Sequence, residues 1–327
     1  MHNGSEIEEN APAPSARRPA VPAWLNVALR LAVTVALLAY ALRDVKWRAF
    51  GQLLLDADWR WWGAGLATAV LVQVVAGIRW AALARPLGFD FPRQFFVWRF
   101  FEGMFFNLCL PSSIGGDVIK AYRVGDTTSR RLLAGCSVLA DRLTGLAALG
   151  VLGGAALAAR KYDLSLPVTL AVAAGLLAGA LAVFLLAVLF LDRIVAMLPD
   201  TSPVGGFLSQ LLPYQQRPSV IAKAVAWSFV VQAGGAVSVA LSARALGVDQ
   251  PLSLWFSVVP LVALAMVLPL SIGGFGVREN AMTFLLSEEG VQSDRAVGVA
   301  LLWGLSTILI GVLGGVLFLI DRSRRSV

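Results

Sequence analysis

The sequence predicts an all-α polytopic membrane protein made of two inverted repeats, with about six full spans and two re-entrant helical hairpins. Three observations predict it. The chain has 327 residues, is 58% hydrophobic and only 14% charged, and holds several apolar runs of about 20 residues, the length that crosses a hydrocarbon core. The stretch LPSSIGG at Leu110–Gly116 returns as LPLSIGG at Leu268–Gly274, placing Pro, Ser and paired Gly where a membrane helix has to break. Other matches share nearly the same separation. ARPLGFDFP at Ala84–Pro92 agrees with ARALGVDQP at Ala243–Pro251 in six of nine positions at an offset of 159, Gln73 and Gln232 share that offset, and GVLGG at Gly150–Gly154 recurs at Gly311–Gly315, an offset of 161. Matches in one order at one offset predict two homologous halves.

In chain order, residues 1–21 are rich in Pro, Glu, Asn and Ser and predict a disordered cytoplasmic tail. The apolar run after Arg17 and Arg18 is too long for a signal-peptide core, so Trp24–Leu42 reads as a first span with its basic flank inside. Trp47, Trp59, Trp61 and Trp62 predict an interfacial aromatic belt around the mixed-charge loop Arg43–Arg60. A second span covers Trp61–Leu83, with Arg79 expected to snorkel to the interface. Gln94–Val118 carries Arg99 and Glu102 ahead of the first break. Arg85 and Arg93 precede it, and Lys120, Arg123, Arg130 and Arg131 follow. Both ends therefore favour the basic side, which predicts a re-entrant hairpin with Pro111–Gly116 near its tip.

Leu132–Ala159 is the third span, containing Asp141 and Arg142, and Leu164–Leu191 is the fourth, with Gly175 and Gly179 spaced for close packing. Phe207, Leu208, Leu211 and Leu212 predict a short membrane-surface helix within the loop Asp192–Ser219. Val220–Leu246 is the fifth span, Leu252–Val277 holds the second break, Arg278–Gly290 is a short helix, and Arg295–Ile320 is the sixth span. Arg322, Arg324 and Arg325 mark its cytoplasmic end. The transmembrane domain then covers 22–322, divided into repeats at about 22–160 and 163–322, with a basic cytoplasmic tail at 323–327. Counting hairpin arms as spans gives eight crossings.

Three full spans per half is an odd number, so the second half is inverted. Charge agrees: Asp117–Arg131 carries four basic and two acidic residues, net +2, whereas Arg278–Arg295 carries two basic and four acidic, net −2. The first hairpin is expected to enter from the cytoplasm and the second from outside.

Composition also excludes. The net charge of +7 comes from Arg at the ends of apolar runs rather than along one soluble face, so no nucleic-acid partner is expected. The two cysteines, Cys109 and Cys136, lie in apolar sequence and read as buried thiols without a disulfide framework. The single histidine, His2, is in the tail, which removes His-based acid/base chemistry and the HExxH zinc site. Asp117 has no DxxxD partner for magnesium on a diphosphate. No metal, cofactor or catalytic constellation is expected.

The breaks supply the candidate chemistry. A broken helix leaves backbone N–H groups unpaired, tolerable in a membrane only where they face protein, water or a ligand. Gly115, Gly116, Gly273 and Gly274 permit close backbone approach by an anion, and helix N-termini favour negative charge. Ser112, Ser113 and Ser271 can donate hydroxyls to a phosphate, and Lys120, Arg123 and Arg278 follow the breaks as cationic partners. The same Gly and Ser residues equally suit a tight turn and helix packing. Arg99 and Glu102, three apart, share a helix face and can pair; Asp141 and Arg142 are adjacent and each needs its own partner. Glu279 reads as a proton-coupling carboxylate or as the neighbour of Arg278.

With LPSSIGGDVIKAYRV, DRLTGL at Asp141–Leu146 and LPLSIGGFGVRE at Leu268–Glu279, the chain resembles the lysylphosphatidylglycerol synthase transmembrane-region family over about residues 22–322. That family resembles the flippase portion of the bacterial multiple peptide resistance factor. The resemblance implies movement of an anionic phospholipid or polyprenyl-linked lipid between leaflets of the bacterial cytoplasmic (inner) membrane, with both termini cytoplasmic. The residues matching its motifs are Pro111, Ser113, Gly115, Gly116, Asp117, Lys120, Arg123, Asp141, Arg142, Pro269, Ser271, Gly273, Gly274, Arg278 and Glu279. The chain ends at Val327 without a soluble aminoacyl-transferase domain, so it is expected to act without that chemistry. Two alternatives stand beside translocation: a membrane-embedded transferase on a lipid-linked substrate with Asp117 as base, and a scaffold for lipid-modifying or glycosyltransferase enzymes.

Overall fold

The computed structural model describes residues 23–43, 45–110, 115–159, 188–199, 202–267 and 270–325, with isolated positions at 175, 178, 179, 182 and 185. Among these every regular element is helical: α1 (Ala23–Leu42), α2 (Trp47–Leu55), α3 (Trp59–Ala84), α4 (Arg93–Cys109), α5 (Gly115–Val124), α6 (Thr128–Ala159), α7 (Pro218–Ala245), α8 (Leu252–Val267), α9 (Val277–Ser287) and α10 (Ser293–Arg325). Short helices at Leu191–Ala196, Pro203–Ser209 and Leu212–Gln216 precede α7. Trp59–Leu87, Thr128–Ala155, Pro218–Ala245 and Ser293–Asp321 are long and apolar enough to cross a membrane, while Ala28–Leu42 and Leu252–Val267 are shorter apolar helices. The chain is a multi-pass membrane protein. The predicted tail at 1–21, most of the predicted fourth span Leu164–Leu191 and the loop at 160–163 lie outside the described residues.

The most extensive packing is between α3 and α7. Their contacts run in opposite order: Asp58 N–H donates to the Ala245 carbonyl (3.0 Å), Gly65 faces Ser238, Gly234 faces Val72, and Arg79 reaches Ser228. The helices are therefore antiparallel, and small residues let their backbones approach. The helix-end motifs of the two halves fold alike. Gly88 (φ 82°) and Gly247 (φ 66°) each take the left-handed conformation that ends a helix, donating to the carbonyls of Arg85 (2.9 Å) and Arg244 (3.0 Å). Arg130 at the start of α6 donates to the Gly88 carbonyl (3.0 Å), and Arg295 at the start of α10 to the Gly247 carbonyl (2.8 Å).

Helices α4, α5, α6, α8, α9 and α10 pack in a closed cycle in which α5 touches α4, α4 touches α10, then α9, α8, α6 and α5 again. The two GVLGG copies make two further helix contacts, α10 on α4 and α6 on α8. On α10, Gly311, Gly314 and Gly315 face Leu108, Phe101 and Phe105 of α4, and a Cβ at Gly314 would overlap the Phe101 carbonyl. On α6, Gly153 faces Leu264 of α8. Two apolar cores fill the ends: Trp80, Leu83, Phe89 and Phe96 in one, Trp255, Leu254, Leu261 and Met282 in the other. Val45, Phe50 and Val297 join α1 and α2 to the start of α10, where Lys46 N–H donates to Asp294 (3.2 Å).

Several expectations change. Arg79 does not snorkel: it is buried, because Asp141 and Ser228 on neighbouring helices receive its guanidinium. Cys109 is exposed rather than buried, since α4 ends there; Cys136 is half-buried. Gly175 and Gly179 are exposed, and a Cβ at either meets nothing within 4 Å, so they make no close helix contact among the described residues. Of the tryptophans, Trp47, Trp59 and Trp61 are exposed as a belt requires, but Trp62 turns inward and donates to Ser306 (3.2 Å). Helix α10 runs past the predicted end at Ile320 to Arg325.

Candidate functional site

Both repeated motifs interrupt helices. Helix α4 stops at Cys109 and α5 starts at Gly115, while α8 stops at Val267 and α9 starts at Val277. Pro111, Ser112, Ser113 and Pro269 lie outside the described residues. Across the first break Asn107 and Gly103 on α4 meet Gly116 on α5, and Gly103 and Phe100 meet Lys120, so the arms run antiparallel. Gly116 N–H donates to Asn107 Oδ1 (2.8 Å), and a Cβ at Gly116 would overlap the Gly103 carbonyl. Backbone contact requires glycine at Gly116, while a Cβ at Gly103 would press on the Lys120 side chain. One of the N–H groups expected to face a ligand is thus already capped by protein.

Charged side chains gather beyond this break. Lys120 is buried against the rings of Phe100 (4.2 Å) and Trp80 (5.8 Å) and donates to Asp117 (3.0 Å). Arg142 Nε donates to the other Asp117 oxygen (2.8 Å), with its side chain 48% exposed. One turn behind, Arg79 pairs with buried Asp141 (2.7 Å) and reaches Ser228 on α7 (2.8 Å). Asp141 and Arg142 therefore have separate partners, as their adjacency requires. A carboxylate holding two cations is a poor general base, because its charged form is the favoured one.

A second cluster joins three helices. Arg99 pairs with Glu102 one turn along α4, and Arg123 on α5 donates to Glu102 (3.3 Å). Arg99 and Arg123 both donate to Asp321 Oδ2 on α10, at 3.1 and 2.8 Å. Arg123 is therefore bound by two carboxylates.

The second break is sealed differently. After Ser271 the backbone makes a tight turn through Gly273 (φ 61°) and Gly274 (φ 76°), conformations that favour glycine. Helix α1 closes one side of it: Thr34 Oγ1 accepts from Ile272 N–H (2.9 Å), and Asn280 donates to the Leu37 carbonyl (2.8 Å). Arg278, 1% exposed, is held by adjacent Glu279 (2.6 Å) and lies over the Phe275 ring (4.8 Å), in space that any side chain at Gly304 would take. Glu279 also accepts from Gly276 N–H. The Ser271 hydroxyl is buried with no partner.

Arg79, Asp321, Asn107, Thr34 and Gly304 were not singled out as site-forming by the sequence. One signal was available: Lys120 and Arg278 stand five residues after Gly115 and Gly273, the first glycines of the two pairs. Among the described residues no group of His, Cys, Asp and Glu is arranged to hold a metal.

The model of the family described as Lysylphosphatidylglycerol synthase TM region matches residues 27–315. Comparison with curated proteins and with solved structures gives no match.

Proposed function

The chain belongs to the Lysylphosphatidylglycerol synthase TM region family, and on that premise we propose that it is an inner-membrane translocator of an anionic phospholipid or lipid-linked headgroup. The observation that carries this reading is the pairing of two helix breaks, each followed by a buried cation, Lys120 or Arg278, at the same distance from its first glycine. Inverted halves with interrupted helices are the pointer to a substrate site in secondary transporters.

The antiparallel packing of α3 on α7 and the exchange of partners, α4 on α10 and α6 on α8, support inverted repeats. The first hairpin then enters from the end bearing Arg85, Arg93, Arg130 and Arg131, read as cytoplasmic by the positive-inside bias, and the second from the opposite end. Of the charged groups near the breaks, the set Asp117, Lys120 and Arg142 suits a phosphodiester best: Arg142, 48% exposed, brings a guanidinium to Asp117, and buried Lys120 adds a second cation. Asp117 orients both. By sequence alone Pro111, Ser112 and Ser113, outside the described residues, are assigned to the first half-site beside the backbone of Gly115. Ser271, Gly273 and Gly274 are assigned to the second half-site, and Asp141, Arg278 and Glu279 to the paired charges around the two breaks. The acyl chains stay in the bilayer throughout.

Leaflet exchange of labelled phospholipids in proteoliposomes tests this. Wild-type protein should exchange an anionic lipid faster than empty liposomes do, and Arg142→Ala or Lys120→Gln should slow it. No exchange across a panel of anionic and polyprenyl lipids, with folded protein, would remove the reading.

A further inference from the structure

We infer that Arg99 and Arg123 form a second phosphate-binding site, whose place for the phosphate oxygen is taken in this structure by the Asp321 carboxylate, so that the end of α10 acts as a displaceable latch. Two guanidinium groups from different helices converge on one oxygen, Asp321 Oδ2, at 3.1 and 2.8 Å. Such a two-arginine clamp is the geometry that recognises a phosphate oxyanion.

Charge and burial mark Asp321 as the removable member. Arg99 and Arg123 contribute +2 and Glu102 −1, leaving +1, which Asp321 brings to zero. Glu102 has a fully buried side chain between the two arginines, whereas the side chain of Asp321, near the end of the long helix α10, is 20% exposed. Arg99 Nε is buried with no partner among the described residues, a donor that Asp321 leaves unused. Withdrawing the end of α10 takes Phe318 with Asp321, off Arg123 (5.4 Å) and Phe106 (5.3 Å), and leaves two arginines beside Phe106 and Phe95, whose ring lies under Arg99 (4.8 Å). Cations against aromatic walls suit a lipid phosphate with its glycerol and first methylenes. Anion binding here does not depend on translocation; only the lipid source of the phosphate rests on the proposed function.

The experiment measures binding of short-chain phosphatidylglycerol in micelles, and separately of inorganic phosphate, to purified full-length chain. Asp321→Asn should bind about tenfold tighter than wild type by removing the internal competitor, and adding Arg123→Gln should abolish the gain. A gain confined to phosphatidylglycerol assigns the site to a lipid headgroup; a gain with both probes assigns it to free phosphate as well. Asp321→Asn binding neither probe more tightly, in folded protein, overturns the latch. A disulfide between Phe106→Cys and Phe318→Cys, in a chain with Cys109 and Cys136 replaced by Ser, reads the latch with Asp321 intact. Crosslinking should fall as phosphatidylglycerol is added, and an unchanged yield overturns the proposal. Tighter binding without leaflet exchange would uphold the site and sink the translocator; exchange without tighter binding would do the reverse.

Discussion

At the first break, charge is spread over four helices and reaches the surface: Arg123 shares Glu102 and Asp321 with Arg99, and Asp117 is held by half-exposed Arg142. At the second, charge is a single adjacent pair, Arg278 with Glu279, sealed against the Phe275 ring and made room for by Gly304. At the offset of 158 that relates LPSSIGG to LPLSIGG, the positions matching Arg99, Glu102 and Arg123 are Ser257, Pro260 and Ala281, none of them charged. Two helix breaks with matching sequence thus carry two electrostatic designs. A broken helix in a membrane needs its polar groups satisfied, and it can be satisfied by a network that rearranges or by a fixed pair that does not. The first suits a gate, the second a hinge point.

The largest expected effect lies at the sealed pair. Glu279→Ala leaves the Arg278 charge buried alone and should cost about 3–5 kcal/mol, read as a lowered unfolding temperature in detergent. Replacing both, Arg278→Met with Glu279→Leu, should recover much of that loss, because the remaining charge is gone too. Next come the glycines of close approach. Gly314→Ala pushes α10 from the Phe101 carbonyl and should cost about 1–3 kcal/mol, whereas Gly154→Ala, with nothing within 4 Å of an added Cβ, should leave stability unchanged. Thr34→Val removes the acceptor for Ile272 N–H at the second break, an expected loss of about 1 kcal/mol in the same thermal assay. At the first hairpin, Arg142→Ala should change stability by less than about 1 kcal/mol, since the side chain is half exposed, while slowing lipid exchange. If Arg142→Ala destabilised as much as Glu279→Ala, the contrast between a working and a sealed hairpin would fail.

Much of this was legible in the chain. Apolar run length gave the class, Pro and paired Gly gave both breaks, and spacing of three gave the Arg99–Glu102 pair. Adjacency separated the partners of Asp141 and Arg142. What stayed hidden was long-range. Arg79 finds Asp141 62 positions away and Ser228 149 positions away, so its place near the end of a span favoured snorkelling when only local sequence was weighed. Asp321 sits 222 positions from Arg99, among basic residues that read as a cytoplasmic flank. Packing of helices far apart in the chain creates these contacts, and no local periodicity encodes it. Cys109 was misjudged for a related reason: apolar neighbours imply burial in water-soluble proteins, but a helix end beside a membrane can be apolar and exposed.

The claim that everything else rests on is that the two hairpins enter from opposite sides of the membrane. Single cysteines at Asp126→Cys, exposed beyond the first hairpin, and Glu288→Cys, exposed beyond the second, in a chain with Cys109 and Cys136 replaced by Ser, test it with a membrane-impermeant maleimide. Labelling of Asp126→Cys only in inside-out vesicles and of Glu288→Cys only in right-side-out vesicles is the predicted result. Labelling of both from the same side would contradict it.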